Sequence, residues 1–119
     1  MRTIKFRVWD NHNKQMLEDQ EAKYWLSQGI QAEYLQFTGL LDKNGKEIYE
    51  GDIVKTGNML GSVDWGEVFV DFGGEGHGED FGNVITYVVK TKSAPEALSN
   101  LLVEIIGNIY EHEELLTNN

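Results

Sequence analysis

The sequence predicts a mainly β fold, a small antiparallel barrel of SH3 type with an N-terminal β-hairpin extension and one or two short helices. Three observations predict it. Apolar and polar residues alternate at period two in several short segments, the mark of half-buried strands. Thirteen glycines punctuate those segments and supply the turns and corners that let a small barrel close. Strand and helix patterns do not alternate regularly, as a parallel sheet would require. At 119 residues the chain is one domain's worth of material, and we divide it into an extension over residues 1–34 and a barrel over residues 35–119.

The elements follow in order. In Ile4-Lys5-Phe6-Arg7-Val8-Trp9 the apolar residues Ile4, Phe6 and Val8 alternate with Lys5 and Arg7, which read as solvated strand residues. Asp10-Asn11-His12-Asn13 is a turn cluster, and Lys14-Gln15-Met16-Leu17 returns as a short partner strand. Residues 18–28 are polar and weakly helical, with Gly29 placed as a C-cap. Strand character resumes over residues 32–37 and leads into a hairpin turning at Asn44-Gly45.

Two hairpin registers compete. A two-residue loop sets Lys43 against Lys46 and Asp42 against Glu47, both like-charge pairs. A three-residue loop, with Lys43 and Asn44 in a type I turn and Gly45 left-handed, sets Asp42 against Lys46 and lets Leu40 meet Ile48. The three-residue loop is the expectation. Asp42, Asn44 and Glu47 look like fragments of a calcium loop, but the glycine falls at the wrong place for it.

Gly51 turns a corner into a strand over residues 53–55, and residues 57–61 form a glycine-bounded connection. Residues 62–65 and 68–72 read as two strands on either side of Gly66, with Val68, Val70 and Phe72 sharing a face. The β-branched run over residues 84–90 is a further strand, and residues 104–110 another. Between them residues 93–102 read as a short helix, with Ser93 as N-cap, Pro95 in the first turn and Glu96 at the capping-box position. Residues 111–116 offer a last helical turn.

Composition narrows the function classes. Hydrophobic residues make up 40% and charged residues 25%, the profile of a chain that folds. The absence of cysteine removes disulfides and thiolate metal sites and fits a reducing compartment, hence a cytoplasmic protein. No apolar run reaches the roughly 20 residues of a membrane span, and the first residues lack the continuous apolar stretch of a signal peptide. A net charge of −10 repels phosphate backbones, so direct nucleic-acid binding is not expected, although an acidic surface can act as a decoy for a basic partner.

Candidate sites carry little chemistry. Residues 73–83 are rich in glycine, and Glu75, His77, Glu79 and Asp80 within them offer oxygen and imidazole donors without a preorganised cage. The segment reads as a loop between strands, and no metal site is assigned. Glu111-His112-Glu113-Glu114 cannot converge on one ion from a single helical turn and reads as a solvated terminus. The three histidines, His12, His77 and His112, lie far apart, and no catalytic triad is legible. Trp9, Phe37, Tyr49, Trp65, Phe69, Phe72 and Tyr87 fall in strand patterns and are expected in the core. Tyr24, Trp25 and Leu26 lie in the polar segment and are the candidate partner-binding residues.

Three blocks carry a family resemblance. They are Ile4-Lys5-Phe6-Arg7-Val8-Trp9-Asp10; Leu35-Gln36-Phe37-Thr38-Gly39-Leu40 with Asp42-Lys43-Asn44-Gly45-Lys46-Glu47-Ile48-Tyr49-Glu50-Gly51-Asp52-Ile53-Val54; and Ile105-Ile106-Gly107-Asn108-Ile109-Tyr110-Glu111 with Leu115-Leu116. In this order they resemble the YopX family of phage and prophage proteins. His112-Glu113 stands where members often carry Asn-Pro, and residues 18–33 and 73–102 take no part. The resemblance implies an SH3-like barrel with an N-terminal extension, encoded by a phage or prophage and acting in the bacterial cytoplasm. It implies no reaction, cofactor or catalytic residue.

The expectation is therefore a non-enzymatic accessory protein that binds protein partners, itself included as a homo-oligomer, through exposed strand edges or the Tyr24-Trp25-Leu26 segment. The alternative is a nucleic-acid-linked role, by direct contact or as an acidic decoy of a host DNA-binding protein. A metal-assisted hydrolase using Glu75, His77 and Glu79 ranks third.

Overall fold

A computed structural model describes residues 4–71 and 81–117. The chain runs through β1 (Phe6–Asp10), β2 (Gln15–Leu17), α1 (Asp19–Ser27), β3 (Glu33–Leu41), β4 (Glu47–Tyr49), β5 (Asp52–Thr56), β6 (Met59–Asp71), β7 (Phe81–Lys90), β8 (Glu96–Ala97), β9 (Glu104–Asn108) and α2 (Glu114–Thr117). Every strand pair is antiparallel. One sheet has the order β2-β1-β3-β4 and the other β8-β7-β6-β5-β9. Together they curl as a half-barrel around a core of Ile48, Val54, Val63, Tyr87, Val89, Leu98 and Val103, drawn from both sheets.

The N-terminal hairpin is part of the first sheet, because β1 pairs with β3 along four residues, from Phe6↔Gln36 to Trp9↔Glu33. The second hairpin adopts the three-residue loop. Gly45 has φ +83, its amide donates to the Asp42 carbonyl at 3.0 Å, and the Asp42 amide donates to the Lys46 carbonyl at 2.7 Å. Leu40 packs on the cluster that holds Ile48. A bulge interrupts the ladder between Phe37 and Leu41, where Gly39 has φ +86 and the buried Thr38 hydroxyl donates to the Ile48 carbonyl at 2.8 Å.

Asp42 ties this hairpin to the second sheet. One carboxylate oxygen accepts the Asn44 and Lys46 amides at 2.8 and 2.9 Å, and the other accepts the Ile105 amide at 3.0 Å. The Gly51 corner makes the other join. At φ +86 it sends its amide to the Val63 carbonyl at 2.8 Å and receives the Ile109 amide at the same distance.

Four sequence expectations about the elements and the core need correction. Residues 57–61 are not a long connection, because Thr56 pairs with Met59 and leaves a two-residue turn at Gly57-Asn58. Gly66 does not divide two strands. β6 passes through it unbroken for 13 residues, and the missing side chain leaves room for Val88, whose Cγ2 lies 2.8 Å from where a Cβ would stand. Residues 93–102 do not form a helix capped by Ser93. Glu96 and Ala97 pair instead with Val89 and Val88, and a single 3₁₀ turn at Leu98–Asn100 drives Leu98 into the core at 1% exposure. Finally, Trp65 and Phe69 are not core residues. They are 51% and 70% exposed, because β5 pairs with β6 only as far as Ser62 and β8 with β7 only at Val88 and Val89. Beyond those points β6 and β7 continue as a two-stranded ribbon. Of the other aromatics expected inside, Trp9, Phe37, Tyr49 and Tyr87 are buried, and Phe72 lies outside the described residues.

Candidate functional site

The face of β1 that reads as solvated is a packed interface. Lys5, Arg7 and Trp9 share it by the period-two rule, and each lies on an aromatic ring. Lys5 Nζ is 5.7 Å from the Phe37 ring centre, the Arg7 guanidinium carbon is 4.5 Å from that of Tyr49, and Trp9 stacks on Tyr110 with centroids 5.6 Å apart. Arg7 also pairs with the buried Asp52, and Lys5 with Glu47. Arg7 is thus no solvated strand residue, since its side chain is only 14% exposed.

The opposite face of β1 carries α1. The Asp19 carboxylate accepts the Phe6 amide at 2.8 Å, Lys23 bridges to Asp19 at 3.2 Å, and Ala22 is fully buried. These contacts fix the helix, and the expected glycine stop ends it. Gly29 has φ +69, the amides of Gln28, Gly29 and Ile30 return to carbonyls of the last turn at 3.1 Å, and the Tyr34 hydroxyl donates to the Ile30 carbonyl.

Between the end of α1, the start of β3 and the Trp9–Tyr110 stack lies a groove of about 1070 Å³. Trp25 and Leu26 line it, as do Ile30 and Tyr34, with Asp10 and Glu33 supplying carboxylates. Tyr24 is not among the lining residues and stands 63% exposed on the helix. The candidate trio is therefore split, with two residues in the groove and one outside it.

Rigidity at the groove's far side comes from Asn108. Its Oδ1 accepts the backbone amides of Tyr110 and Glu111 at 3.0 Å each, and its own backbone amide donates to His112 Nδ1 at 3.1 Å. The His112 ring lies over Gly107, where a Cβ would come within 2.7 Å of it. This explains the small residue in Ile106-Gly107-Asn108.

The electrostatics are acidic. Burial raises the Tyr110 hydroxyl's pKa above its ordinary value of 10.0, and Glu33, Asp64 and Glu50 raise it further. The Asp10 carboxylate is held below its ordinary value, first by the Asn13 side-chain amide at 2.9 Å and then by the Asn13 and His12 backbone amides. It stays ionised at neutral pH.

A second apolar surface is the exposed face of the β6–β7 ribbon. Trp65 and Phe69 are joined there by Ile85, which is 64% exposed, and the rings of Trp65 and the buried Tyr87 pack in a T-shaped pair with centroids 4.8 Å apart. The donors at Glu75, His77, Glu79 and Asp80 lie outside the described residues, and among the described residues no group of three or more His, Asp or Glu is placed to hold a metal ion. No helix among them is long and apolar enough to cross a membrane.

Sequence reasoning missed Trp9, Tyr34 and Tyr110 as groove residues. A signal for Trp9 was present: it falls on the parity of Lys5 and Arg7, an aromatic out of step with the apolar face.

A crystal structure of protein EF1440 from Enterococcus faecalis is similar to this chain in fold. The two are 22% identical, with 98% of this chain and 99% of that one covered and a TM-score of 0.50. No curated protein matches the chain in sequence. The family model described as YopX protein matches residues 27–117, which include the Asn44-Gly45 hairpin, the Gly51 corner and the Gly107-Asn108 turn. The chain belongs to the YopX family.

Proposed function

We propose that the chain is a non-enzymatic phage or prophage accessory protein that works in the bacterial cytoplasm by binding other proteins. The observation that carries this reading is the groove lined by Trp25 and Ile30 together with the Trp9–Tyr110 stack. Aromatic anchors in a rigid, concave frame are what protein interfaces use to concentrate binding energy. Here the frame is a capped helix end and an asparagine-locked turn, so a partner segment would meet side chains already in place, at little ordering cost. A random peptide-display selection on the immobilised protein tests this. Peptides that converge on a motif and lose binding to a Trp25→Ala protein support it; no enrichment, or equal binding to the variant, refutes it.

The ribbon favours a second role, self-association. Trp65, Phe69 and Ile85 form an apolar face on a two-stranded segment whose β6 edge beyond Ser62 has no strand neighbour among the described residues. A second copy could cover that face or extend that edge. Sedimentation velocity over a hundredfold concentration range tests this, with Trp65→Ser/Ile85→Ser as the variant expected to remain monomeric.

A further inference from the structure

We infer that the groove selects a cationic segment, a partner stretch that places an Arg or Lys side chain against Trp25 and the Trp9–Tyr110 stack with its charge toward Glu33. This rests on the proposal that the groove is a protein-binding surface and adds what kind of segment it takes.

Three observations converge on it. The groove wall is aromatic, and aromatic faces attract cations through their ring quadrupole. Among the described residues the carboxylates lining it are Asp10 and Glu33, which differ in availability. The Asp10 oxygens are engaged by Asn13 and His12, whereas Glu33 is solvent-exposed at the rim. Glu33 lies opposite Trp9 in the β1–β3 ladder, so it stands beside the aromatic stack. Among the described residues no lysine or arginine lines the groove, and the chain as a whole carries −10. Field and wall therefore select the same ligand. An acidic or phosphate-bearing segment would meet repulsion from both carboxylates.

Glu33 is the residue to change, because it is exposed and its backbone pairing with Trp9 does not depend on its side chain. The probes are three length-matched synthetic peptides with a common apolar frame and either two arginines, two glutamates or two serines at the central positions. Tryptophan fluorescence or calorimetry reads their affinities at 50 and 300 mM salt.

The arginine peptide should bind at least about tenfold more tightly than the serine peptide at low salt, and the advantage should shrink at high salt. Glu33→Lys should abolish that advantage, whereas Glu96→Lys, an equal charge change on β8 of the other sheet, should leave most of it. Equal loss in the two variants would show only the attraction of an acidic protein for a basic peptide and would overturn the inference. Serine or glutamate peptides binding best, yet losing affinity in Trp25→Ala, would overturn the cation preference while leaving the groove as a binding surface. Binding of all three peptides unchanged by Trp25→Ala would overturn the groove itself.

Discussion

The Arg7 guanidinium on β1 is ion-paired with the Asp52 carboxylate at the start of β5, with side-chain exposures of 14% and 2%. Asp52 also accepts the Tyr49 amide at 2.8 Å. Burial raises the Asp52 pKa above the ordinary 3.8, and Arg7 and the Tyr49 amide only partly offset this. The pair therefore joins the N-terminal strand to the second sheet at a desolvation cost, and removing one partner is worse than removing both.

Arg7→Met should lower stability by about 3–5 kcal/mol at neutral pH, because a buried carboxylate is left unpaired. Because the folded-state pKa of Asp52 is raised, its stability contribution is largest below the unfolded value and is lost as pH rises through the folded value. Without Arg7 that pKa rises further, so the deficit of the variant should narrow as pH falls toward 3.8. Urea denaturation across this range reads it, and Arg7→Met/Asp52→Leu should recover much of the loss.

Asp42 behaves with the opposite sign. Burial alone would raise its pKa, but the amides of Ile105, Lys46 and Asn44 outweigh burial and hold it below 3.8. A depressed carboxylate stabilises the fold above its unfolded pKa, and that contribution is lost as pH falls through the folded value. Asp42→Ala should cost about 1–3 kcal/mol at neutral pH, since it strands three backbone donors. The difference from the parent protein should narrow below pH 3.8, as acid unfolding followed by circular dichroism would show.

These two aspartates mark how far the sequence could be read. The hairpin, the Gly51 corner and the β1 alternation were legible because each is local, set by turn chemistry and side-chain period. Asp42 bonding to Ile105 and Arg7 pairing with Asp52 were not, because they join residues distant along the chain. The same limit hid the groove. Trp25 drew notice as an aromatic in a polar segment, but the stack that shares the groove with it, Trp9 on Tyr110, depends on the turn after β9. Glycine was misread in the other direction. At Gly66 it marks close approach within a strand, which looks like a break in sequence alone.

Gly61 and Gly66 should consequently differ in their tolerance of alanine. A Cβ at Gly61 would meet the Val89 methyl at 2.5 Å and the Lys90 backbone oxygen at 2.6 Å, whereas at Gly66 the only close neighbours are Val88 side-chain atoms. Backbone yields less readily than a side chain. Gly61→Ala should cost about 1–3 kcal/mol by overpacking, and Gly66→Ala less, in a comparison of thermal unfolding midpoints.

Burial separates the apolar residues of the second sheet in the same way. Ile53 is fully buried and Ile85 is 64% exposed. Ile53→Ala should lose about 2–5 kcal/mol through its cavity, while Ile85→Ser should stay within about 0.5 kcal/mol of the parent. If Ile85→Ser destabilised as much as Ile53→Ala at a concentration where the protein is monomeric, the ribbon face would be structural rather than available for association. Guanidinium denaturation at low and high protein concentration distinguishes the two.

Tyr49 should give the fold an alkaline limit. Burial pushes its hydroxyl up to about 12, with the nearby Glu47 carboxylate adding to the shift. A phenol whose folded-state pKa is raised contributes stability that is complete below the unfolded value of 10.0 and lost as pH climbs through about 12. Because the Arg7 guanidinium lies over the Tyr49 ring and pairs with Asp52, ionising Tyr49 also disturbs the join between the two sheets. Tyrosinate absorbance at 295 nm should therefore show a late component near pH 12 that is absent from Tyr49→Phe. Near-ultraviolet circular dichroism of the parent should fall over the same interval. A parent titration complete by pH 11 would show that Tyr49 is accessible to solvent and that the packed face of β1 opens before it ionises.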